Sequence, residues 1–157
     1  MTTNYLADLF HRDLSRLTQE VQAFPSDEMP WQIVPGITNS AGNLVLHLEG
    51  NLREYIGRQL GGVPYTRNRP LEFTATRLRR DELVGRIEAL KDSIPSIIRS
   101  LSSEKLEAEY PELILQKPLS TQAVLLRLYG HLNWHLGQVD YLRRALSGSG
   151  AIQFPGI

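Results

Sequence analysis

Apolar residues recur at three- and four-residue steps in four stretches of the chain, the spacing that one face of an α-helix produces. Segments rich in proline and glycine separate these stretches, and such residues end helices. The pattern therefore predicts four amphipathic helices over residues 3–24, 40–60, 81–100 and 120–146. No alternation of apolar and polar residues is long enough to predict a strand.

The ends of the predicted helices carry recognisable signals. Asn39 or Ser40 can cap the second helix, and Gly61-Gly62 followed by Pro64 ends it. Residues 63–79 and 102–117 have no clear period and are predicted to be long connections. Four helices of roughly 20 residues with two long connections favour an all-α four-helix bundle. The length of 157 residues predicts a single domain over 1–157.

The amino-acid composition of the chain argues against several classes of function. The 17 basic and 17 acidic residues balance, so no net charge favours nucleic acid as a partner. No apolar run approaches the ~18 residues that span a bilayer, so a membrane partner is not expected, and without a recognisable signal peptide the expected location is the cytoplasm. The chain has no cysteine, which excludes disulfides, thiolate ligands and a protein thiol nucleophile. Any thiol chemistry would use a small-molecule thiol.

The strongest candidate for chemistry is a pair of histidines, His131 and His135, in the fourth predicted helix. Residues four apart share one helix face, and a helical wheel places this pair inside the apolar stripe with Val124, Leu128 and Leu142. Burying two imidazoles is costly unless both are hydrogen-bonded or coordinated. The position favours a shared metal ion, and two core histidines hydrogen-bonded to side chains or water are the alternative.

A third ligand is available on the second predicted helix. His47 lies at the polar border of that helix's apolar stripe, on the face that also carries Asn51 and Glu54. Periodicity leaves open whether this border faces a polar cavity or the solvent. His11 lies off the apolar face of the first helix and is predicted to be exposed.

The residues around the histidines disfavour two familiar metal sites. The sequence His131-Leu-Asn-Trp-His135 lacks the glutamate of the zinc-protease motif His-Glu-x-x-His. Di-iron bundles use Glu-x-x-His, but Leu44 and Leu128 stand three residues before His47 and His131. The remaining candidate is a mononuclear site with three histidines and an open position, as in catalytic zinc sites. Nickel, iron and manganese are compatible with the same ligands.

Three further residues are candidates for the surroundings of such an ion. Asn51, Glu54 and Gln138 lie on the histidine-bearing helices, and Glu54 is also a candidate proton acceptor. The alternative for Glu54 is an ordinary helix-surface side chain. The arginine-rich connection 67–80 can bind carboxylates, but a solvated loop with scattered ion pairs is the favoured interpretation.

At the segments Asn43-Leu-Val-Leu-His47-Leu and His131-Leu-Asn-Trp-His135-Leu-Gly-Gln138, the chain resembles the DinB/YfiT-like superfamily of bacterial four-helix bundles. The resemblance covers nearly the whole chain through helix order and histidine positions. It implies a metal triad of His47, His131 and His135, an ion that is most often nickel or zinc, and a homodimer formed through the helices.

The resemblance also sets expectations for activity. Superfamily members with known activity include enzymes that use low-molecular-weight thiols, such as bacillithiol or mycothiol S-transferases and maleylpyruvate isomerase. It therefore implies a metalloenzyme that activates a small-molecule thiol or water. The alternative is a non-catalytic, metal-stabilised bundle that acts by dimerisation or partner binding.

Overall fold

The apolar stripes form long helices in the computed structural model, which describes residues 3–75 and 77–154. The helices in chain order are α1 (Thr3–Gln22), α2 (Ala41–Leu52), α3 (Arg69–Thr74), α4 (Arg80–Ser100), α5 (Ser103–Glu107) and α6 (Thr121–Ser147). A 3₁₀ turn spans Met29–Trp31, and a π-helical turn, Arg53–Arg58, continues α2. The prediction of an all-α fold is confirmed.

Capping residues account for the ends of the two helices that carry the histidines. The Ser40 hydroxyl accepts a hydrogen bond from the Asn43 N–H at 3.1 Å, which satisfies a free donor in the first turn of α2. The Ser120 hydroxyl accepts from the Ala123 N–H at the start of α6. Gly148 ends α6 in the left-handed conformation with φ 68°.

The connections contain more regular structure than their sequence pattern predicts. Both α3 and α5 lie in segments predicted to be irregular. Asn68 caps α3 by accepting from the Leu71 N–H at 3.2 Å, and Pro70 lies in its first turn. Two isolated β-bridges occur in residues 109–120, and no strand forms in the described part of the chain.

The four long helices pack around one apolar core. α1 packs on α4 and α6, α2 packs on the same two helices, and α3 lies against α2. The core side chains come from every long helix: Leu6, Phe10, Leu14 and Leu17 of α1; Leu48 and Leu52 of α2; Leu83, Ile87, Leu90, Ile94 and Ile98 of α4; Val124, Leu125, Leu132 and Val139 of α6. Burying each such side chain contributes about 1.5–3 kcal/mol. Among the described residues, no helix is long and apolar enough to cross a membrane.

Candidate metal centre

Three histidine side chains converge between α2 and α6. His47 projects from α2, and His131 and His135 project from α6. The Nε2 atom of His131 lies 3.2 Å from Nε2 of His47 and 3.1 Å from Nε2 of His135. One ligand atom from each residue lies within 4.8 Å of the other two, a grouping that can hold a metal ion.

Hydrogen bonds on the far side of two rings fix which nitrogen faces the centre. His47 Nδ1 lies 2.9 Å from a carboxylate oxygen of Glu72, and His135 Nδ1 lies 2.6 Å from the Gln138 side-chain oxygen. Both oxygens are acceptors, which favours the tautomer with the proton on each Nδ1. In a neutral imidazole the lone pair is then on Nε2. The Nε2 lone pairs of His47 and His135 therefore point towards the shared centre.

Burial keeps the three imidazoles neutral at pH 7. Burial, together with the charges that His135 and His47 would carry, lowers the pKa of His131 to about 4. Burial also lowers the pKa of His47 and of His135, and it outweighs the hydrogen bonds to Glu72 and Gln138, which act in the opposite direction. Neutral imidazole is the form of histidine that binds a metal.

The two nitrogen–nitrogen distances at His131 match those expected around a single ion. Two nitrogens at the usual zinc–nitrogen distance are about 2.9 Å apart at a right angle and about 3.4 Å apart at the tetrahedral angle. The measured 3.1 and 3.2 Å fall between these values. The ring planes lie 80° to 89° apart, so the imidazoles do not stack and each presents its edge to the centre.

The partner of His47 is a residue that sequence reasoning missed. Glu72 lies on α3 and is buried. Arg67 donates to both of its carboxylate oxygens, at 2.7 and 2.9 Å. The Asn43 amide donates to the backbone carbonyls of Glu72 and Ala75, which fixes α3 against α2. The Asn68 cap followed by Pro70 is the sequence signal that indicates this short helix.

A glycine on α2 makes room for this carboxylate. A Cβ atom at Gly50 would lie 2.0 Å from Oε1 of Glu72 and 2.8 Å from its Cδ. Real atoms do not approach so closely, and the Glu72 carboxylate is held by Arg67. Gly50 therefore allows α3 to bring a carboxylate within hydrogen-bond distance of His47.

Two of the other candidate residues lie beside the histidines or their cavity, and two do not. Gln138 contacts His135, and Asn51 lines a cavity together with His131. The Glu54 carboxylate instead pairs with Arg58, at 2.8 Å from its Nε. Glu54 does not line that cavity. His11 is exposed.

Most arginines of the connection 67–80 make structural contacts. Besides the Arg67–Glu72 pair, the Arg69 guanidinium lies 5.3 Å from the centroid of the Phe73 ring. Arg79 pairs with Asp81 at 3.2 Å, and Arg80 donates to the Phe24 carbonyl. The Arg79–Asp81 pair fits the interpretation of the segment as a solvated loop with local ion pairs. Arg67 does not fit it, because it pairs with the buried carboxylate of Glu72, and the segment also contains α3.

A cavity of about 330 Å³ adjoins the histidines. One residue of the cluster, His131, forms part of its wall. The remaining lining residues are Asn51, Tyr55, Leu113, Ile114, Leu115, Val124, Arg127 and Leu128. A small molecule in this cavity would lie against one of the three histidines.

Comparisons with other proteins agree with the fold. The profile of the family described as "Protein of unknown function (DUF1572)" matches residues 2–153. A comparison with curated proteins gives no match. Among solved structures, a conserved protein from Enterococcus faecalis is similar with a TM-score of 0.75 and 16% identity, over 95% of this chain and 99% of that one.

Two DinB-like proteins have the same architecture. The one from Bacillus subtilis is 17% identical with a TM-score of 0.70, over 96% of each chain. The one from Bacillus cereus is 14% identical with a TM-score of 0.69, over 91% of each chain. At these identities the likeness establishes the fold, and the chemistry of the site depends on the residues themselves.

Proposed function

The chain belongs to the DinB-like family DUF1572, and we propose that it is a metalloprotein in which His47, His131 and His135 bind one divalent metal ion. The observation that carries the proposal is the convergence of three Nε2 atoms from neutral imidazoles. Glu72 and Gln138 support it, because a carboxylate or amide oxygen on Nδ1 is the usual outer partner of a metal-bound histidine.

We propose nickel or zinc as the resident ion, with iron and manganese compatible with the same ligands. When bound, the ion would act as a Lewis acid and lower the pKa of a coordinated water or thiol. Glu72 and Gln138 orient their histidines. The cavity beside His131 gives a small molecule access to the centre.

The proposed reaction class is activation of a small-molecule thiol, as in an S-transferase, or of water. The chain has no cysteine, so a thiol nucleophile would come from outside the protein. Activation of water needs a proton acceptor, and the Glu54 carboxylate is engaged by Arg58. That pairing favours the thiol over water.

Titration of zinc into chelator-treated protein tests the binding proposal. The wild-type chain is expected to bind one equivalent, and His131→Ala is expected to weaken binding by at least about 100-fold, because it removes one of three ligands. His11→Ala is the matched control, since His11 is exposed and outside the cluster. Equal affinity of wild type and His131→Ala would contradict the proposal.

The alternative is a non-catalytic bundle in which the ion only stabilises the fold. The two functions differ in whether a thiol reaches the ion. In cobalt-substituted protein, a small thiol such as 2-mercaptoethanol is expected to change the visible absorption spectrum if the centre is catalytic. An unchanged spectrum at saturating thiol would favour the structural role.

We also propose that the chain forms a homodimer through α6. Leu126, Trp134 and Tyr141 lie on one face of this helix and are 45%, 69% and 70% exposed. Exposed apolar patches of this kind mark association surfaces. Trp134→Lys is expected to give a monomer by light scattering, whereas Val63→Lys, on another surface, is not. A dimer that persists in Trp134→Lys would exclude this face.

A cytoplasmic location stays a prediction from the sequence.

A further inference from the structure

The cavity beside His131 has walls of three different kinds. One wall is a face of α6 that carries Val124, Arg127, Leu128 and His131 at helical spacing. The second comes from the end of α2 and its π-helical continuation, with Asn51 and Tyr55. The third is the apolar segment 113–115. The cavity therefore combines apolar surface with a few polar groups, the composition typical of small-molecule sites.

The cation in this cavity, Arg127, has no partner among the residues that the structure describes. Arg127 makes no hydrogen bond, ion pair or ring contact within residues 3–75 and 77–154. Elsewhere in that part of the chain, every arginine except Arg77 has such a contact. Arg127 precedes His131 by four residues, so the two lie about 6 Å apart along α6. A free guanidinium one helical turn from a metal ligand is suited to bind an anionic group of a ligand.

A second polar group of the cavity also lacks a partner. Asn51 is 8% exposed, and its side-chain oxygen has no hydrogen bond within the described residues. Leaving a buried acceptor unpaired carries a free-energy cost, because the group has lost its hydrogen bonds to water. A ligand that donates a hydrogen bond to Asn51 would remove this cost. The Tyr55 hydroxyl, on the same wall, makes no hydrogen bond to the described part of the chain either.

The apolar wall is built on a strained turn. Ile114 and Lys117 exchange two backbone hydrogen bonds of 3.1 Å, and the residues between them, Leu115 and Gln116, have φ values of 52° and 62°. Neither is glycine, so the left-handed conformation is strained at both residues. The turn also leaves Leu113 and Leu115 exposed by 62% and 72%. Strain and exposed apolar area together are explained if the turn covers an apolar ligand.

We propose that this cavity binds a small organic monocarboxylate with an apolar body. Arg127 binds the carboxylate, and the apolar body lies between the turn and the α6 residues Val124 and Leu128. The volume of about 330 Å³ is at the lower end of the range for ligand sites, which limits the ligand to a small molecule. As a substrate site the inference rests on the proposed metal function, but ligand binding does not require the ion.

Isothermal titration with 3-phenylpropionate and its neutral counterpart 3-phenylpropanamide tests the assignment. The carboxylate is expected to bind at least about 10-fold more tightly than the amide, because a hydrogen bond to a charged group contributes about 1.5–3 kcal/mol. Arg127→Met is expected to abolish this preference and leave amide binding unchanged. Arg77→Met is the matched control, since Arg77 also has no partner among residues 3–75 and 77–154 but does not line the cavity.

Two substitutions in the turn test the contribution of the apolar wall. Leu115→Asn fits the left-handed conformation and removes the apolar side chain, so it should raise the free energy of unfolding but weaken binding of both probes by about 5-fold or more. Gln116→Gly relieves strain at the neighbouring position without removing a lining residue. It should also raise stability, and binding should stay within about 2-fold of wild type.

The titrations are done on protein as purified and again after chelation, so that coordination of the carboxylate by an ion is separated from binding at Arg127. If the carboxylate still binds more tightly than the amide after chelation, the cavity assignment is supported even if the protein binds no metal. Absence of binding by wild type, equal binding of both probes, or an unchanged preference in Arg127→Met would overturn it. Tighter binding of 2-phenylethylphosphonate than of 3-phenylpropionate would replace the carboxylate with a phosphate-like anion.

Discussion

At the scale of single residues, the cluster depends on the side chains that hydrogen-bond to the Nδ1 atoms of the histidines. A histidine can place its proton on either nitrogen, and only the form protonated on Nδ1 presents Nε2 to a metal. Glu72 and Gln138 select that form for His47 and His135. The His131 Nδ1 atom is buried without a partner in the described residues, so no such contact selects its tautomer.

Glu72→Gln tests the role of the carboxylate. The substitution keeps the shape of the side chain, but its amide can donate to His47 Nδ1 and then favours the form with the proton on Nε2. Zinc affinity measured by competition with a chromophoric chelator is expected to fall about 10- to 100-fold. Glu49→Gln is the control, because Glu49 is also buried but pairs with Arg53 and Arg86. Equal losses in both variants would show that Glu72 acts only through stability.

At the scale of elements, α3 is the part that completes the centre. It has only six residues and approaches α2 where Gly50 leaves room for its carboxylate. Asn43 on α2 holds the end of α3 through two backbone carbonyls. A short helix with so few backbone hydrogen bonds of its own depends on these contacts for its position.

Gly50→Ala tests this approach. The added methyl group would collide with Glu72, so α3 must move away and the hydrogen bond to His47 lengthens or breaks. Zinc affinity is expected to fall about 10-fold or more, as in Glu72→Gln. At Gly85 on α4, a Cβ would meet nothing within 4 Å. Gly85→Ala should therefore keep the affinity and raise the free energy of unfolding by about 0.5–1 kcal/mol. An unaltered zinc affinity in Gly50→Ala would contradict the assigned contact.

The sequence predicted the long helices because periodicity and caps are local properties. Ser40 and Ser120 cap helices that begin at residues 41 and 121. Periodicity could not decide where His47 points, since it lies at the border of its stripe. Glu72 could not be identified from hydrophobic periodicity either, because the six residues of α3 make too few helical turns to show a period. Its role depends on a contact across 25 residues of sequence, which only the packing of α3 on α2 reveals.

At the scale of the whole molecule, the buried His47 and the half-buried His131 and His135 link stability to pH. Between pH 6.5 and about 4, an unfolded histidine takes up a proton, whereas His131 in the folded protein stays neutral. The unfolded state then binds more protons, so the free energy of unfolding falls as the pH is lowered through this range. His47 and His135 act in the same direction because burial lowers their pKa values too.

Urea unfolding of chelator-treated protein between pH 7.5 and pH 4.5 measures this effect. A loss on the order of 2–3 kcal/mol is expected from His131 alone. His131→Gln removes the titrating group and should flatten the dependence. Stability that is constant or rises towards pH 4.5 in the wild type would show that the histidines are not buried as a neutral cluster.

The metal content of protein purified without a histidine tag tests the central claim most directly. Inductively coupled plasma mass spectrometry of wild type and His135→Ala, prepared side by side, gives the stoichiometry. We expect close to one equivalent of nickel or zinc per wild-type chain and almost none in the variant. Less than about a tenth of an equivalent in the wild type, with no uptake after incubation with either metal, would contradict it.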